Sequence, residues 1–366
     1  MSSIWNETNS NHWQGAGAAE FDLRSDTITK PTLSMLNAIA QSSLSDDVFR
    51  EDSTTNSLQE YIAGRTGHES ALLVMSGTMG NQVAIRSHLT EAPYSVLCDD
   101  RAHILRSEAG GVSAWTGATV YGIKPRNGMY ITLEEIQEHA ILGDNIHRCP
   151  TRLISLENTL HGLVMPLEET RRIVKWAHSH GMKVHLDGAR LWDAVVSGAG
   201  TLSEYTSLFD SASLCFSKGL GAPIGSILVG PTRFIDKARW FRKSIGGGIR
   251  QAGIISAAAR VAVEEVFGPE PNGGGKLRDV HVKAQIIADM WTSRGGKLLY
   301  PVHTNMVWVD IKAAGLQPTD LADIGKLKGL RLSETRIVVH YQISDETLRR
   351  LGEVFDLALN RKLSKL

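Results

Sequence analysis

The sequence is poor in cysteine, has no excess of either charge sign and contains no long apolar run. Three cysteines, Cys98, Cys149 and Cys215, occur in 366 residues without a C-x-x-C spacing, which excludes a disulfide scaffold and a zinc ribbon. Lysine plus arginine and aspartate plus glutamate both number 39. This balance argues against a nucleic-acid binder that relies on bulk positive charge. No apolar run reaches the roughly 18 residues of a membrane span, so we expect no membrane partner.

Neither end of the chain resembles a secretory signal. Residues 1–20 are polar and lack both a basic start and an apolar stretch, so we predict a loose N-terminal arm there. The last three residues, Ser364-Lys365-Leu366, form the tripeptide that directs proteins to peroxisomes. The alternative is an accidental helix end in a cytoplasmic protein. We favour the peroxisomal address.

Short apolar runs alternate with helical patterns through the middle of the chain, which is typical of βαβ units and a parallel sheet. The predicted strands are Ala71–Met75, Ser95–Cys98, Leu153–Leu156, Lys183–Leu186, Ser213–Phe216 and Ile227–Val229. After about residue 250, two long helical patterns precede predicted strands at Met306–Ile311, Leu330–Leu332 and Ile337–Tyr341 and a closing helix. We therefore predict an α/β fold, with a large domain over 21–250 and a smaller α+β domain over 251–366.

Polar residues directly follow three of the predicted strands. They are Ser76-Gly77-Thr78, Asp187 and Lys218. Ligands of open parallel sheets bind outside the carboxyl ends of the strands, so we expect these residues to converge. Each also has a plainer explanation: a helix cap, a salt bridge from Asp187 to Arg190, and a solvated loop lysine. No G-x-G-x-x-G follows a strand, so a dinucleotide site is not expected.

Together the three features match the needs of pyridoxal phosphate (PLP). This cofactor requires a lysine for a Schiff base, a carboxylate for the pyridinium nitrogen and a helix N-terminus for its phosphate. The sequence supplies them in the order phosphate loop, Asp187 and Lys218. We therefore predict PLP as the cofactor, with no metal.

At this point the chain resembles the threonine aldolase and β-eliminating lyase group of fold-type I PLP enzymes, from about Phe21 to the last helix. The similarity is greatest to fungal low-specificity members, and some fungal members of the group racemise alanine. The motifs that carry the resemblance are FDLRSDT (21–27), DDVFREDSTTNSLQ (46–59), SGTMGNQ (76–82), RAHILRSEAGG (101–111), SLENTLHG (155–162), HLDGAR (185–190), FSKGLGAPIGS (216–226) and GGGIRQAG (246–253).

The resemblance implies an aspartate aminotransferase-like large domain, a small amino-acid substrate and a role for each matching residue. Lys218 is similar to the Schiff-base lysine, and Asp187 to the pyridinium partner. The other implied cofactor contacts are Ser76, Gly77, Thr78, His103 stacked on the ring, and Arg190. The implied substrate contacts are Ser25, Arg190, Arg336 and His161. Arg250 is similar to a residue that reaches a neighbouring subunit's cofactor phosphate, which implies a homo-oligomer, either dimer or tetramer.

The chain departs from the group at the substrate side of the pocket. Bacterial members often carry a histidine where this chain has Leu160, and the segment 105–107 lacks an expected aromatic residue. A base for the substrate hydroxyl would then be His103, His161 or a water.

The cofactor defines the class of reaction but not the bond that breaks. We favour cleavage of L-threonine or L-allo-threonine to glycine and acetaldehyde. The alternative is alanine racemisation, with Lys218 and His103 or a water on opposite faces. A cofactor-free binding protein of the same fold is disfavoured, because Lys218, Asp187, Arg190 and Arg336 are all retained.

Overall fold

The computed structural model describes residues 13–143, 145–269 and 273–360. Among them, seven strands form one sheet and two form a small antiparallel sheet. The strands are β1 (Ser70–Val74), β2 (Ser95–Asp99), β3 (Thr119–Ile123), β4 (Thr151–Glu157), β5 (Lys183–Gly188), β6 (Ser211–Cys215), β7 (Ser226–Gly230), β8 (Met306–Trp308) and β9 (Arg336–Val338). The predicted tripeptide at 364–366 and residues 1–12 of the predicted arm lie outside the described residues.

The large sheet is mostly parallel. Its strand order is β1-β7-β6-β5-β4-β2-β3. Strands β2 to β6 run parallel to one another, whereas β7 runs antiparallel to both β1 and β6. Strands β1 to β6 therefore all end at one edge of the sheet. The residues of β5, β6 and β7 are almost entirely buried, as expected for a sheet covered on both faces.

Helices cover the sheet and build the C-terminal part. They are α1 (Leu33–Ala40), α2 (Ser53–Thr66), α3 (Gly77–His88), α4 (His103–Arg106), α5 (Gly111–Thr116), α6 (Leu133–His139), α7 (Leu167–Ser179), α8 (Leu191–Val196), α9 (Leu202–Thr206), α10 (Thr232–Ser244), α11 (Gly253–Ala262), α12 (Gly275–Ser293), α13 (Asp320–Leu327) and α14 (Asp345–Asn360). A π-helical turn over Val263–Phe267 continues α11. Among the described residues, no helix combines the length and apolarity needed to cross a membrane.

Helix α7 illustrates how the spacing of apolar residues predicts a helix. Its buried residues Thr170, Ile173, Val174 and Ala177 follow the i, i+3, i+4, i+7 spacing of one helix face. Acidic residues lie in its first turn, where they interact favourably with the helix dipole.

The predicted α/β fold with a mainly parallel sheet is confirmed. Each predicted strand of the large sheet corresponds to an observed strand, within two residues at either end. Strand β3 was not predicted, because it lies at the sheet edge and three of its five residues are exposed, which leaves no apolar run. The segment 330–332, predicted as a strand, forms only an isolated bridge between Asp22 and Arg331.

Two apolar cores meet along α12. The larger core contains the inner faces of the large sheet, the buried face of α11 and Leu277. The smaller core contains Val280 and later residues of α12, residues of α14, and Leu23 from near the N-terminus. The backbone of Leu23 bonds to both Arg331 and Val338. The N-terminal segment thus belongs to the smaller core. The domain boundary at 250/251 stays a prediction.

Candidate active site

The loops after β1, β2, β5 and β6 bring the predicted residues to one edge of the large sheet. Helix α3 begins there after β1, His103 follows β2, and Asp187 is the second-last residue of β5. Lys218 follows β6. Ser76 and Lys218 are 142 positions apart in the sequence. The sheet topology nevertheless brings them to the same edge, because the carboxyl ends of parallel strands lie together.

Asp187 is a buried carboxylate that still has acceptor capacity. Only 3 % of the residue is exposed. Its Oδ2 accepts from Asn81 Nδ2 at 2.7 Å, and its Oδ1 accepts from the Ala189 N–H at 3.1 Å. A carboxylate has about four lone-pair positions, so another donor, such as a protonated ring nitrogen, fits it.

His103 begins α4 and is held from two sides. Its Nδ1 lies 2.9 Å from Glu108 Oε1, and its backbone N–H donates to Glu157 Oε2 at 2.8 Å. The Glu108 side chain is fully buried, whereas 36 % of the His103 side chain is exposed. The imidazole is therefore fixed at one nitrogen and open on part of its surface.

Glu157 is a second carboxyl beside Asp187, and it is part-buried. The two residues are direct neighbours across β4 and β5. Burial, followed by repulsion from Asp187, raises the pKa of Glu157 to about 8. The protonated form of Glu157 is therefore favoured at this position.

The start of α3 offers donors suited to an anion. Ser76 Oγ accepts from the Met79 N–H at 3.2 Å, while the N–H groups of Gly77 and Thr78 have no acceptor among the described residues. A Cβ on Gly77 would lie only 2.7 Å from Cys215 Sγ. Glycine thus lets the helix start approach the end of β6 closely, which forms a cradle that a phosphate dianion fits.

Lys218 lies half-buried near two carboxyl groups. Burial alone would raise the pKa of Asp26, but the charge of Arg190, and to a smaller extent that of Lys218, holds it below its ordinary value. The Lys218 charge also acts on Glu157. The turn after Lys218 needs Gly221, whose φ is +79° and whose N–H donates to the Lys218 carbonyl. No hydrogen-bond partner of the Lys218 ammonium occurs among the described residues.

Arg190 pairs with Asp26 rather than with Asp187. Its Nε and Nη2 donate to the two Asp26 oxygens at 2.7 and 2.5 Å. Asn305 also donates to Asp26, at 3.2 Å. The alternative of an Asp187–Arg190 salt bridge is therefore wrong. Two of the five guanidinium N–H groups are engaged, so any contact of Arg190 with a ligand must use the remaining N–H groups on Nη1 and Nη2.

Arg336 and His161 lie on the small-sheet side of the site. The Arg336 guanidinium lies 5.9 Å from the Trp308 ring centroid, and the His161 ring lies 4.9 Å from the same ring. Burial, and then the Arg101 and Arg336 charges, lower the pKa of His161 to about 4. Its Nδ1 is buried without a hydrogen-bond partner among the described residues.

The Arg336 guanidinium is bound more loosely than that of Arg190. Burial, followed by repulsion from Arg190, lowers the pKa of Arg336. Its described hydrogen bond runs from Nη2 to the Arg24 carbonyl at 3.3 Å. Nearby, Ser25 Oγ lies 2.9 Å from Thr27 Oγ1. The loosely bound Arg336 fork therefore has donors to offer a carboxylate.

Arg250 lies at the surface of the single chain. Its Nη1 donates to Asp46 Oδ2 at 2.9 Å, and 54 % of its side chain is exposed. A role of Arg250 in a neighbouring subunit's site stays a prediction.

Sequence reasoning missed four acidic or amide side chains of the site. Asp26, Asn81, Glu108 and Glu157 each lie inside a quoted motif, in FDLRSDT, SGTMGNQ, RAHILRSEAGG and SLENTLHG. Their position in those motifs was an available signal, but their partners come from distant parts of the chain.

Comparison with known proteins identifies the family. The family model described as "Beta-eliminating lyase" matches residues 22–314. The chain belongs to this family. Among curated relatives, aldolase vrtJ of Penicillium aethiopicum is 52 % identical over 93 % of this chain and 87 % of its own. Alanine racemase TOXG of Cochliobolus carbonum is 43 % identical over 94 % and 88 %. A probable low-specificity L-threonine aldolase of Schizosaccharomyces pombe is 46 % identical over 93 % and 88 %.

Solved structures of other proteins share the fold of this chain. A Leishmania major threonine aldolase superposes with a TM-score of 0.79, at 18 % identity, over 93 % of this chain and 99 % of that one. A structure of SPT with PLP superposes with a TM-score of 0.69, at 16 % identity, over 94 % and 88 %. The fold is that of fold-type I PLP enzymes, as predicted.

Proposed function

We propose that this beta-eliminating lyase family member is a PLP-dependent aldolase that cleaves L-threonine or L-allo-threonine to glycine and acetaldehyde. The observation that carries the proposal is the meeting of the α3 N-terminus, Asp187 and Lys218 at one sheet edge beside Arg336. The aldolase and the probable threonine aldolase among the relatives support this choice of substrate.

The donor set fits PLP. Gly77 and Thr78 offer free N–H groups to the phosphate, with Ser76 beside them, and Asp187 offers acceptor capacity to the ring nitrogen. Lys218 supplies the amine. When bound, PLP supplies an electron sink for charge that develops at the substrate Cα.

The remaining residues orient the substrate and move a proton. Arg336 binds the substrate carboxylate through its planar fork, and Ser25 lies near the same place. His103 accepts the proton of the substrate β-hydroxyl, because it is the partly exposed base of the site. Loss of that proton lets the Cα–Cβ bond break.

Alanine racemisation is the second candidate, supported by the relative named alanine racemase TOXG. Leu160 offers no base at the position next to His161, which leaves fewer groups to deprotonate a hydroxyl. Racemisation instead needs a proton acceptor and a proton donor at Cα. Lys218 and His103 are the groups available for these two tasks.

We also propose that the protein works as a homo-oligomer whose sites are completed by Arg250 of a neighbouring subunit. The exposed position of Arg250 in the single chain supports this. Sedimentation of the purified protein tests it. A fully active monomer would contradict it.

The experiment for the main proposal compares wild-type protein with Lys218→Ala after incubation with PLP. Acetaldehyde from L-threonine is followed by coupled reduction, and bound PLP by visible absorbance. Lys218→Ala is expected to lose both signals. Lys175→Ala, on the exposed face of α7, is the matched control and keeps both. Full acetaldehyde release by Lys218→Ala would overturn the proposal.

A further inference from the structure

A chain of hydrogen bonds runs from the site to His88, the last residue of α3. His88 Nε2 lies 2.7 Å from Ser211 Oγ, and Ser211 Oγ lies 2.8 Å from His185 Nδ1. His185 Nε2 lies 3.1 Å from Asn81 Oδ1. The proposed reaction uses none of these groups directly, yet each is paired, and Asn81, His185 and Ser211 are buried while His88 is part-buried.

The donor in each of these hydrogen bonds can be assigned from the chemistry of the groups at the two ends of the chain. Burial lowers the pKa of His185 to about 4 and that of His88 to about 3, so both rings are neutral. Asn81 Nδ2 faces two carboxylates and must donate to them, so Asn81 Oδ1 must accept from His185 Nε2–H. The neutral His185 ring then accepts from Ser211 at Nδ1. Ser211, having given its only proton, accepts from His88.

At its active-site end the chain reaches a branch point. Asn81 Nδ2 donates one N–H to Asp187 Oδ2 at 2.7 Å and the other to Glu108 Oε1 at 2.8 Å. The same Glu108 oxygen faces His103 Nδ1 at 2.9 Å. Gln82 Nε2 donates to the second Glu108 oxygen at 3.3 Å. The Asn81 amide, only 1 % exposed, therefore binds two carboxylates at once. One is Asp187, and the other is Glu108, which contacts His103.

We infer that Asn81 and Glu108 are positioning residues: Glu108 holds His103 as the Nδ1–H tautomer, and Asn81 fixes Glu108 and Asp187 in one frame. Asn81 and Gln82 both donate amide N–H groups to Glu108, and a carboxylate offers only acceptors, so His103 Nδ1 is the donor in its contact with Glu108. The Nε2 lone pair of His103 is then left free to accept a proton. The tautomer of a histidine follows from the bond that its other nitrogen makes.

The role of this arrangement in catalysis rests on the proposed function. The Nδ1–H tautomer of His103 favours the aldolase reaction over racemisation. A His103 that presents an unprotonated Nε2 accepts the proton of a substrate hydroxyl but has none to give to Cα. The fixed tautomer thus suits C–C cleavage better than proton return in racemisation.

The first test is nitrogen-15 NMR of histidine-labelled full-length protein without cofactor or substrate, with His103→Gln used to assign the His103 signals. The wild type is expected to show a protonated Nδ1 and an unprotonated Nε2 at neutral pH. Glu108→Ala is expected to move the proton to Nε2 or to produce a mixture of tautomers. An unchanged His103 pattern in Glu108→Ala would overturn the inference. Because no substrate is present, this outcome is independent of whether threonine is cleaved.

The second test separates Asn81 from a merely structural residue. Asn81→Asp keeps the shape of the side chain but replaces the donating NH₂, so PLP binding is expected to weaken about tenfold, the value of one charge-assisted hydrogen bond. Its His103 signals should shift as well. Gln82→Ala is the matched control, because Gln82 donates to Glu108 and makes no described contact with Asp187. It should leave PLP affinity within about twofold.

Asn81→Ala serves as a second variant where Asn81→Asp does not fold, and circular dichroism verifies each fold. Wild-type PLP affinity in a folded Asn81 variant, or equal losses in Asn81 and Gln82 variants, would contradict the role of Asn81.

Discussion

Replacing Glu157 with glutamine should remove a pH dependence from the stability of the protein. The part-buried Glu157 carboxyl lies beside Asp187, and loss of hydration together with that charge raises its pKa from 4.5 to about 8. In the unfolded chain the same group loses its proton near the ordinary value. Between these two values the folded protein holds a proton that the unfolded chain does not. Linkage then requires that the free energy of unfolding decrease as pH rises through this window.

The magnitude follows from the window. One group contributes at most about 1.4 kcal/mol per pH unit, so Glu157 contributes a decrease of about 2 to 3 kcal/mol from pH 5.5 to 7.5. Glutamine has the shape of the protonated acid, and its oxygen can still accept from the His103 N–H. The free energy of unfolding of Glu157→Gln should therefore be close to that of the wild type at pH 5.5. As pH rises, the variant should become steadily more stable than the wild type.

The assay is urea unfolding of cofactor-free protein at fixed ionic strength and protein concentration, at pH 5.5, 6.5 and 7.5. The quantity of interest is the difference in unfolding free energy between variant and wild type. Glu168→Gln, whose side chain is 82 % exposed, is the control and should give a constant difference. A Glu157→Gln difference that stays constant, or that changes in the opposite direction, would refute the account of this carboxyl.

The other predictions concern the two arginines of the site and the helix start. Asp26→Ala leaves the buried Arg190 charge without its partner and should cost about 3–5 kcal/mol of unfolding free energy in urea; a loss below about 1 kcal/mol contradicts the importance of the pair. Arg336→Ala should lower kcat/KM for L-threonine roughly 30-fold, mainly through KM, whereas Arg331→Ala, 63 % exposed at its side chain, should not; equal effects would remove the carboxylate role. Gly77→Val should weaken PLP binding at least about tenfold in a folded protein, since a side chain there meets Cys215; unchanged affinity would argue against the cradle.

The sequence was sufficient to predict the site residues that lie at the ends of strands. Asp187 and Lys218 follow buried parallel strands, and the topology of such a sheet brings their ends together. Ser76 could be recognised as a helix cap from its residue type alone. These features depend on local pattern plus one rule of topology.

The rest of the site depends on contacts between distant segments, which no local pattern encodes. The Arg190–Asp26 pair joins positions 164 residues apart, and the Asn81–Asp187 bond joins positions 106 apart. From the sequence, Asp187 lies only three positions from Arg190, which led to the wrong pairing. Likewise, the place of Leu23 in the smaller core is visible only once the chain has folded.

The most direct test of the proposed reaction is proton NMR of PLP-loaded protein in D₂O with L-threonine and, separately, with L-alanine. The account predicts glycine and acetaldehyde from threonine, with the α-proton of alanine largely retained. Rapid loss of the alanine α-proton with little threonine cleavage would contradict it and identify the racemase, which chiral analysis of the same sample would verify. No change in either substrate would contradict both reactions.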